Sequence, residues 1–244
     1  MITFFAEVRQ TLVPRNEVKH GPLPPLLVAM TLVTGLVDAF SYLTLGHVFV
    51  ANMTGNVVFL AFALAGASGF SILASLVALG SFILGSLAGG ILGSRLGQHR
   101  GHPLSLAAVL QTLLLCAAAV LAALSGNPVP AGYSYGLIIV LGIAMGLQNA
   151  TARKLAVPDL TTTVLTLTIV GIGADSRLAG GSGSKAGRRL IAVAAMFVGA
   201  LIGSLLIFHV SIVYPLVSAF IIMASVAVTT RVLSRKDPAW VRAS

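Results

Sequence analysis

Apolar residues fill eight consecutive runs, at about 26–46, 48–66, 71–94, 104–125, 133–151, 157–174, 189–208 and 212–231, each bounded by Gly, Pro, Asn or a charge. A run of roughly 20 such residues crosses a hydrocarbon core as an α-helix. The pattern therefore predicts an all-α polytopic membrane helix bundle. The second and sixth runs are short and open on Asn and Thr, so six or seven full spans are expected if either is re-entrant or broken.

Polar groups inside these runs need partners within the protein, because lipid offers none. The stretch Asn52-Met53-Thr54-Gly55-Asn56 puts two amides and a hydroxyl into apolar sequence. Upstream, Thr31, Thr34, Gly35, Asp38, Ser41 and Tyr42 fall at i, i+3, i+4 and i+7 spacing on one helical face. A carboxylate near the bilayer middle costs roughly 2.5 to 3.5 kcal/mol on insertion scales, so that face is expected to point into the bundle. A carboxyl held there without a cation is a candidate for proton exchange. The plainer alternative is that Asp38 takes backbone or hydroxyl donors and fastens two helices together.

The runs repeat. Gly35-Leu36-Val37-Asp38-Ala39 aligns with Gly146-Leu147-Gln148-Asn149-Ala150 at an offset of 111. The stretch at Asn52 then meets Leu160 to Thr166, which holds Thr161, Thr162, Thr163 and Thr166. Gly85-Ser86-Leu87-Ala88-Gly89 meets Gly199-Ala200-Leu201-Ile202-Gly203 at 114. Two related halves, about 26–125 and 133–231, are expected within one membrane domain, flanked by basic tails over 1–25 and 232–244. Four spans per half would leave the halves in the same orientation, and three would invert them.

Composition agrees with the pattern: 57% of the 244 residues are apolar, 9% are charged and the mean hydropathy is +1.00, against about 25% charged in soluble domains. The net charge of +9 does not indicate nucleic acid, because the 15 Lys and Arg fall in loops and tails rather than on one face interleaved with aromatics. Such charge sets topology. With eight spans and both termini cytoplasmic, Arg9, Arg15, Lys19, Arg177, Lys185, Arg188, Arg189, Arg231, Arg235, Lys236 and Arg242 lie inside, and Arg95, Arg100, Arg153 and Lys154 outside. The His99-Arg100-Gly101-His102 loop is the weak point of that assignment. The first 25 residues carry Glu7, Arg9, Arg15, Glu17 and Lys19 and lack the apolar core of a cleavable signal peptide. Ile2, Phe5, Val8 and Leu12 share a helical face there, which either lies along the membrane surface or belongs to an unstructured lead-in.

The second half offers Gly142, Gly146, Asn149 and Arg153 on one face, with Asn149 in the place of Asp38. Arg153 is either an interfacial side chain or a partner for an anion. A solute or proton site is expected from Asp38, Asn52, Thr54, Asn56, Gln148, Asn149, Thr162, Thr163 and Thr166, although Thr runs also bond back to their own helix. Gly85, Gly89, Gly199 and Gly203 are expected to pack helices closely. His47 and His209, at run ends, are ordinary interfacial residues or a relay to Asp38. Single Cys116 permits no intrachain disulfide, and no HExxH, P-loop, Gly-x-Gly-x-x-Gly or Cys-rich spacing occurs, so no metal or cofactor is expected. Gly66-Ala67-Ser68-Gly69 fits the Gly-x-Ser-Gly of intramembrane serine proteases, but so does Gly180-Gly181-Ser182-Gly183, and an enzyme is not expected in a chain with 26 Gly.

Through Gly35 to Tyr42, Phe49 to Asn56 and Gly146 to Ala150, the chain resembles the YoaK-like family of bacterial multi-pass inner-membrane proteins of unknown function. The resemblance runs over roughly residues 26–231. It implies a bacterial plasma-membrane location and one compact membrane domain, and carries no substrate or catalytic residues. From the residues, the leading expectation is a small-solute permease or exporter with proton coupling through Asp38, partnered by the lipid bilayer and a small-molecule solute. The alternative is a non-transporting scaffold or accessory subunit. Oligomeric state is not indicated.

Overall fold

The computed structural model describes residues 2–13, 20–96, 99–163, 165–181, 183–235 and 239–241. Arg15, Glu17, Lys19, Val164, Ser182, Lys236 and Arg242, used in the sequence reading, lie outside the described residues. Among those described there is no strand, and there are nine α-helices: α1 (Ile2–Leu12), α2 (Leu23–Thr44), α3 (Met53–Leu64), α4 (Ile72–Arg95), α5 (Gly101–Ser125), α6 (Ala131–Leu155), α7 (Leu165–Ala174), α8 (Ala186–His209) and α9 (Tyr214–Ser234). Six of them, α2, α4, α5, α6, α8 and α9, are long and apolar enough to cross a membrane. α3 and α7, which hold the second and sixth apolar runs, have only 12 and 10 residues, about 18 and 15 Å at 1.5 Å per residue.

Burial sorts the six long helices. α2 and α6 are the most enclosed and the least hydropathic but for each other's company, with α6 lowest at 1.5, whereas α8 is the most hydropathic at 2.6 and the least buried. Helices facing lipid have only apolar chemistry open to them, and enclosed ones tolerate polar groups. The two enclosed helices carry Asp38 and Asn149.

Packing repeats with the sequence. α2 lies along α8 and α4 along α6. A Cβ added at Gly85 would strike the Ile143 carbonyl oxygen, and one at Gly199 the Leu32 carbonyl oxygen. Gly89 faces Ala150 and Leu147 as Gly203 faces Ala39 and Leu36, and Gly146 closes on Phe82 and Ser86 as Gly35 does on Met196 and Ala200. Each contact thus recurs at offsets of 111 and 114 in the partner pair. Backbones approach this closely only where the side chain is hydrogen.

One end of the bundle is tied together by Arg100. Its amide donates to the Val241 carbonyl at 2.6 Å, Nη2 donates to the Leu155 carbonyl, and the same nitrogen lies 3.4 Å from His20 Nδ1. Gly101 abuts Ser234, Trp240 is buried over Gly21, and Glu7 of α1 accepts from the Gly187 amide at 2.9 Å. The start of α2, α5 and α8 and the finish of α4, α6 and α9 therefore share this end. With α5 antiparallel to α9, eight full crossings are excluded, and equivalent helices of the two halves run in opposite directions. All eleven Lys and Arg of the described residues lie at this end, including Arg95, Arg100, Arg153 and Lys154. That corrects the expected split, which counted the two short helices as crossings. α1 docks on the start of α8 at the same end, with Phe5 and Leu12 exposed.

Candidate functional site

The segment after α2 dips into the bundle and returns. It reverses through Gly46 and His47, both at positive φ, and runs non-helically to Asn52. The Val50 and Ala51 amides donate to Asp38 Oδ1 at 3.2 and 2.9 Å. Asp38 stands six residues before the end of α2, about 9 Å down the helix, so the loop reaches that depth before α3 leads it out. His47 Nδ1 lies 3.0 Å from the Gly69 carbonyl oxygen, and the Phe70 ring meets those of His47, Phe59 and Phe62. Entry and exit are therefore at the same end, the one without Lys or Arg among the described residues.

The segment after α6 does the same from the opposite end. Ala156 adopts the left-handed conformation and stops the helix. Six residues before the helix end at Leu155, Asn149 Oδ1 accepts from Thr163 Oγ1, while Asn149 Nδ2 donates to the Met145 carbonyl at 2.9 Å. Arg189, in the first turn of α8, gathers the segment: Nε reaches Asp159 Oδ1 at 2.8 Å, Nη2 reaches Asp175 Oδ2 at 2.7 Å, and Nη1 donates to the Gly171 carbonyl. Asp159 lies before α7 and Asp175 after it, so this segment also leaves at the end it entered.

A cavity of about 1580 Å³ lies where the two segments meet, walled by α2, α4, α6 and α8. Of the residues expected at a site, Asp38, Asn52, Thr54, Asn149, Thr163 and Thr166 line it. Asn56, Gln148 and Thr162 do not. Asn56 is buried and clamps Phe49, accepting from its amide at 2.9 Å and donating to its carbonyl at 2.5 Å. Gln148, one residue round the helix from Asn149, faces the core, where it accepts from Gln111 at 2.6 Å and donates to Thr34 Oγ1 at 2.8 Å. Thr162, at φ +66, is turned inward, and its hydroxyl has no partner among the described residues.

Several lining residues were not expected at the site from the sequence: Phe49, Ser86, Lys154, Asp159 and Ser204. Pro158-Asp159, at the start of a supposed span, was the available signal for the second dip. His47 and His209 are exposed at the uncharged end, and no contact joins either to Asp38 among the described residues. No group of three or more His, Cys, Asp or Glu able to hold a metal occurs among the described residues.

Asp38 is the unusual member of this lining. It is 8% exposed, its Oδ1 takes both loop amides, and among the described residues no donor reaches Oδ2. Its counterpart Asn149 has both polar atoms engaged. One half of the site thus offers an unpaired carboxylate oxygen and the other a satisfied amide.

A family model described as Protein of unknown function (DUF1275) matches residues 26–229. The chain belongs to that family. The stretch matched by the DUF1275 model runs from α2 into α9 and so includes both dipping segments and the whole cavity wall. The chain is similar to the UPF0700 transmembrane protein YoaK of Bacillus subtilis (strain 168), 35% identical over 151 residues, covering 62% of this chain and 65% of the relative. That alignment spans just under two thirds of the relative's length. No solved structure matches the chain. Family membership and the six apolar helices make this DUF1275 protein a multi-pass integral membrane protein.

Proposed function

We propose that the protein is a small-solute permease or exporter of the bacterial plasma membrane, built from two inverted, duplicated halves, with Asp38 as its proton-coupling group. The observation that carries this reading is the unpaired Oδ2 of a nine-tenths-buried carboxylate in a cavity bordered by four spans and both dipping segments. Oδ2 is not among the enclosed atoms that lack a partner and so opens on the cavity, where a fold that serves only as scaffold gains nothing from turning a carboxylate oxygen. Loops that break off inside the bundle and line a cavity are a recurring way to build a transport site at the junction of inverted repeats. In this reading the charged end faces the cytoplasm, because short loops retain Lys and Arg on that side, and both tails lie there.

A scaffold role is the second reading. It is favoured by the two amide bonds to Asp38 Oδ1, which fasten the first dipping segment to α2. The two separate on Asp38→Asn. The amide keeps an oxygen for the Val50 and Ala51 donors, so the variant folds and inserts. In proteoliposomes loaded with a pH-sensitive dye and challenged with a solute library, the transport reading expects wild-type protein to move solute and protons and the variant to lose proton movement by at least about tenfold. Equal fluxes from the two proteins would sink the transport reading.

A further inference from the structure

The geometry points to an organic cation as the solute class: an ammonium group set against Asp38 Oδ2 and covered by the rings of Tyr42 and Phe49. This rests on the reading of the cavity as a transport site, and it adds what that site recognises. Tyr42 is one helical turn beyond Asp38 on the same face of α2, and both line the cavity. Phe49 lines it too and stacks on Tyr42, with ring centroids 4.9 Å apart and planes 24° from parallel. An aromatic face attracts a cation through its quadrupole, and the attraction grows as water is removed. A carboxylate one helical turn from a stacked ring pair in the same cavity supplies countercharge and apolar contact together.

The same loop holds both parts. Phe49 is fixed through its amide and carbonyl by Asn56, and the next two amides fix Asp38 Oδ1, which sets the direction of Oδ2. The acid and the rings are thereby positioned before any solute arrives, and preorganisation lowers the ordering cost of binding. The fixed cations of the cavity are elsewhere. Arg153 and Lys154 enter from α6 beyond Asn149, toward the charged end, whereas Tyr42 lies beyond Asp38 toward the other. With α2 and α6 running in opposite directions and Gln148 bonded to Thr34, the eight residues from Thr34 to Tyr42 and the five from Gln148 to Arg153 separate Tyr42 from Arg153 by about 20 Å along the axis. The cavity therefore has an acidic, aromatic pole and a basic one.

A hard metal ion is a poor match for the first pole. Calcium takes six to eight oxygen ligands and magnesium keeps a tight octahedron, whereas the pole offers one unpaired carboxylate oxygen and two stacked rings. A weakly hydrated cation carrying alkyl groups gains from all three.

The test uses full-length protein in lipid nanodiscs, with choline and tetramethylammonium as probes and 3,3-dimethylbutan-1-ol as the uncharged isostere of choline. Both cations are expected to raise the thermal midpoint of the wild-type protein and the alcohol is not, since a ligand stabilises the native state only if it binds it. Titration calorimetry is expected to show choline binding lost in Asp38→Asn, weakened about threefold to thirtyfold in Tyr42→Leu and Phe49→Leu, and retained in Tyr42→Phe. Equal responses to choline and its isostere would overturn the inference, and this comparison needs no variant to fold. Wild-type affinity for choline in a folded Tyr42→Leu protein would overturn it as well. Asp38-dependent proton flux without any response to either cation would remove the cation assignment and leave the transport reading in place.

Discussion

The two dipping segments have one geometry and two chemistries. Each leaves its long helix, turns back to a polar side chain six residues before the helix end, and is led out by a short helix. The first, at the end without Lys or Arg among the described residues, is held by backbone bonds to Asp38 and Asn56 with no cation, and by a cluster of packed rings. The second, at the charged end, is held by one arginine between two carboxylates. Depth of the dip is thus set by the packing of the long helices, which the two halves share, while the means of holding it follows the surroundings of each end. The difference also bears on function, because it leaves the unpaired acid in one half only.

Removing the ionic clamp is the harshest break. Arg189 and Asp159 are 10% and 15% exposed in their side chains, and truncating one partner of a buried pair leaves the other charge uncompensated, at about 3 to 5 kcal/mol. Arg189→Met is expected to cost that much in denaturant or thermal unfolding, and to expose residues 156–175 to proteolysis before 45–70. Simultaneous opening of both segments would mean that they are not separately held. Asn56→Ala is the matching break in the first segment. It strips both hydrogen bonds from the Phe49 backbone, worth about 2 kcal/mol where the freed groups stay buried, and hydrogen exchange should rise in 48–56 with 156–175 unchanged. Thr163→Val takes one hydroxyl from Asn149 and should cost about 1 kcal/mol, with a small rise in exchange confined to the second segment.

How far these differences were legible depends on the kind of force. Apolar runs, the Asp38 and Asn149 faces and the paired glycines could be read, because transfer to lipid and close backbone approach are written in local composition. Depth could not. Residues 48–66 are apolar enough to pass for a span, and hydropathy does not register that two backbone amides end on Asp38 and that helix begins only at Met53. One misjudged crossing then sent Arg95, Arg100, Arg153 and Lys154 to the wrong end. Site residues failed for a related reason. Asn56 stands one turn from Asn52, and Gln148 beside Asn149, so choosing between cavity and core needs the rotation of each helix against its neighbours. Gln111 was the missed clue to the latter, as an amide alone in an apolar run whose partner had to be another buried polar group.

Salt offers the gentlest way to separate the two modes. Asp175 is 53% exposed, so its bond to Arg189 resembles a surface pair worth about 1 kcal/mol or less, whereas Asp159 at 15% is shielded. Raising salt from about 0.1 to 1 M shortens the screening length from roughly 10 to 3 Å. Packed rings and the Asn56 bonds carry no net charge, and the Asp38 carboxyl that takes the Val50 and Ala51 amides is buried with no cation beside it, so the first segment should not respond. Amide exchange at 171–181 is therefore expected to quicken by about twofold, with less change at 157–163 and none at 45–70. Asp175→Asn should reproduce the high-salt pattern at low salt and abolish any further response. Quickening of 45–70 to the same degree would show that charge, rather than the ring cluster, holds the first segment as well.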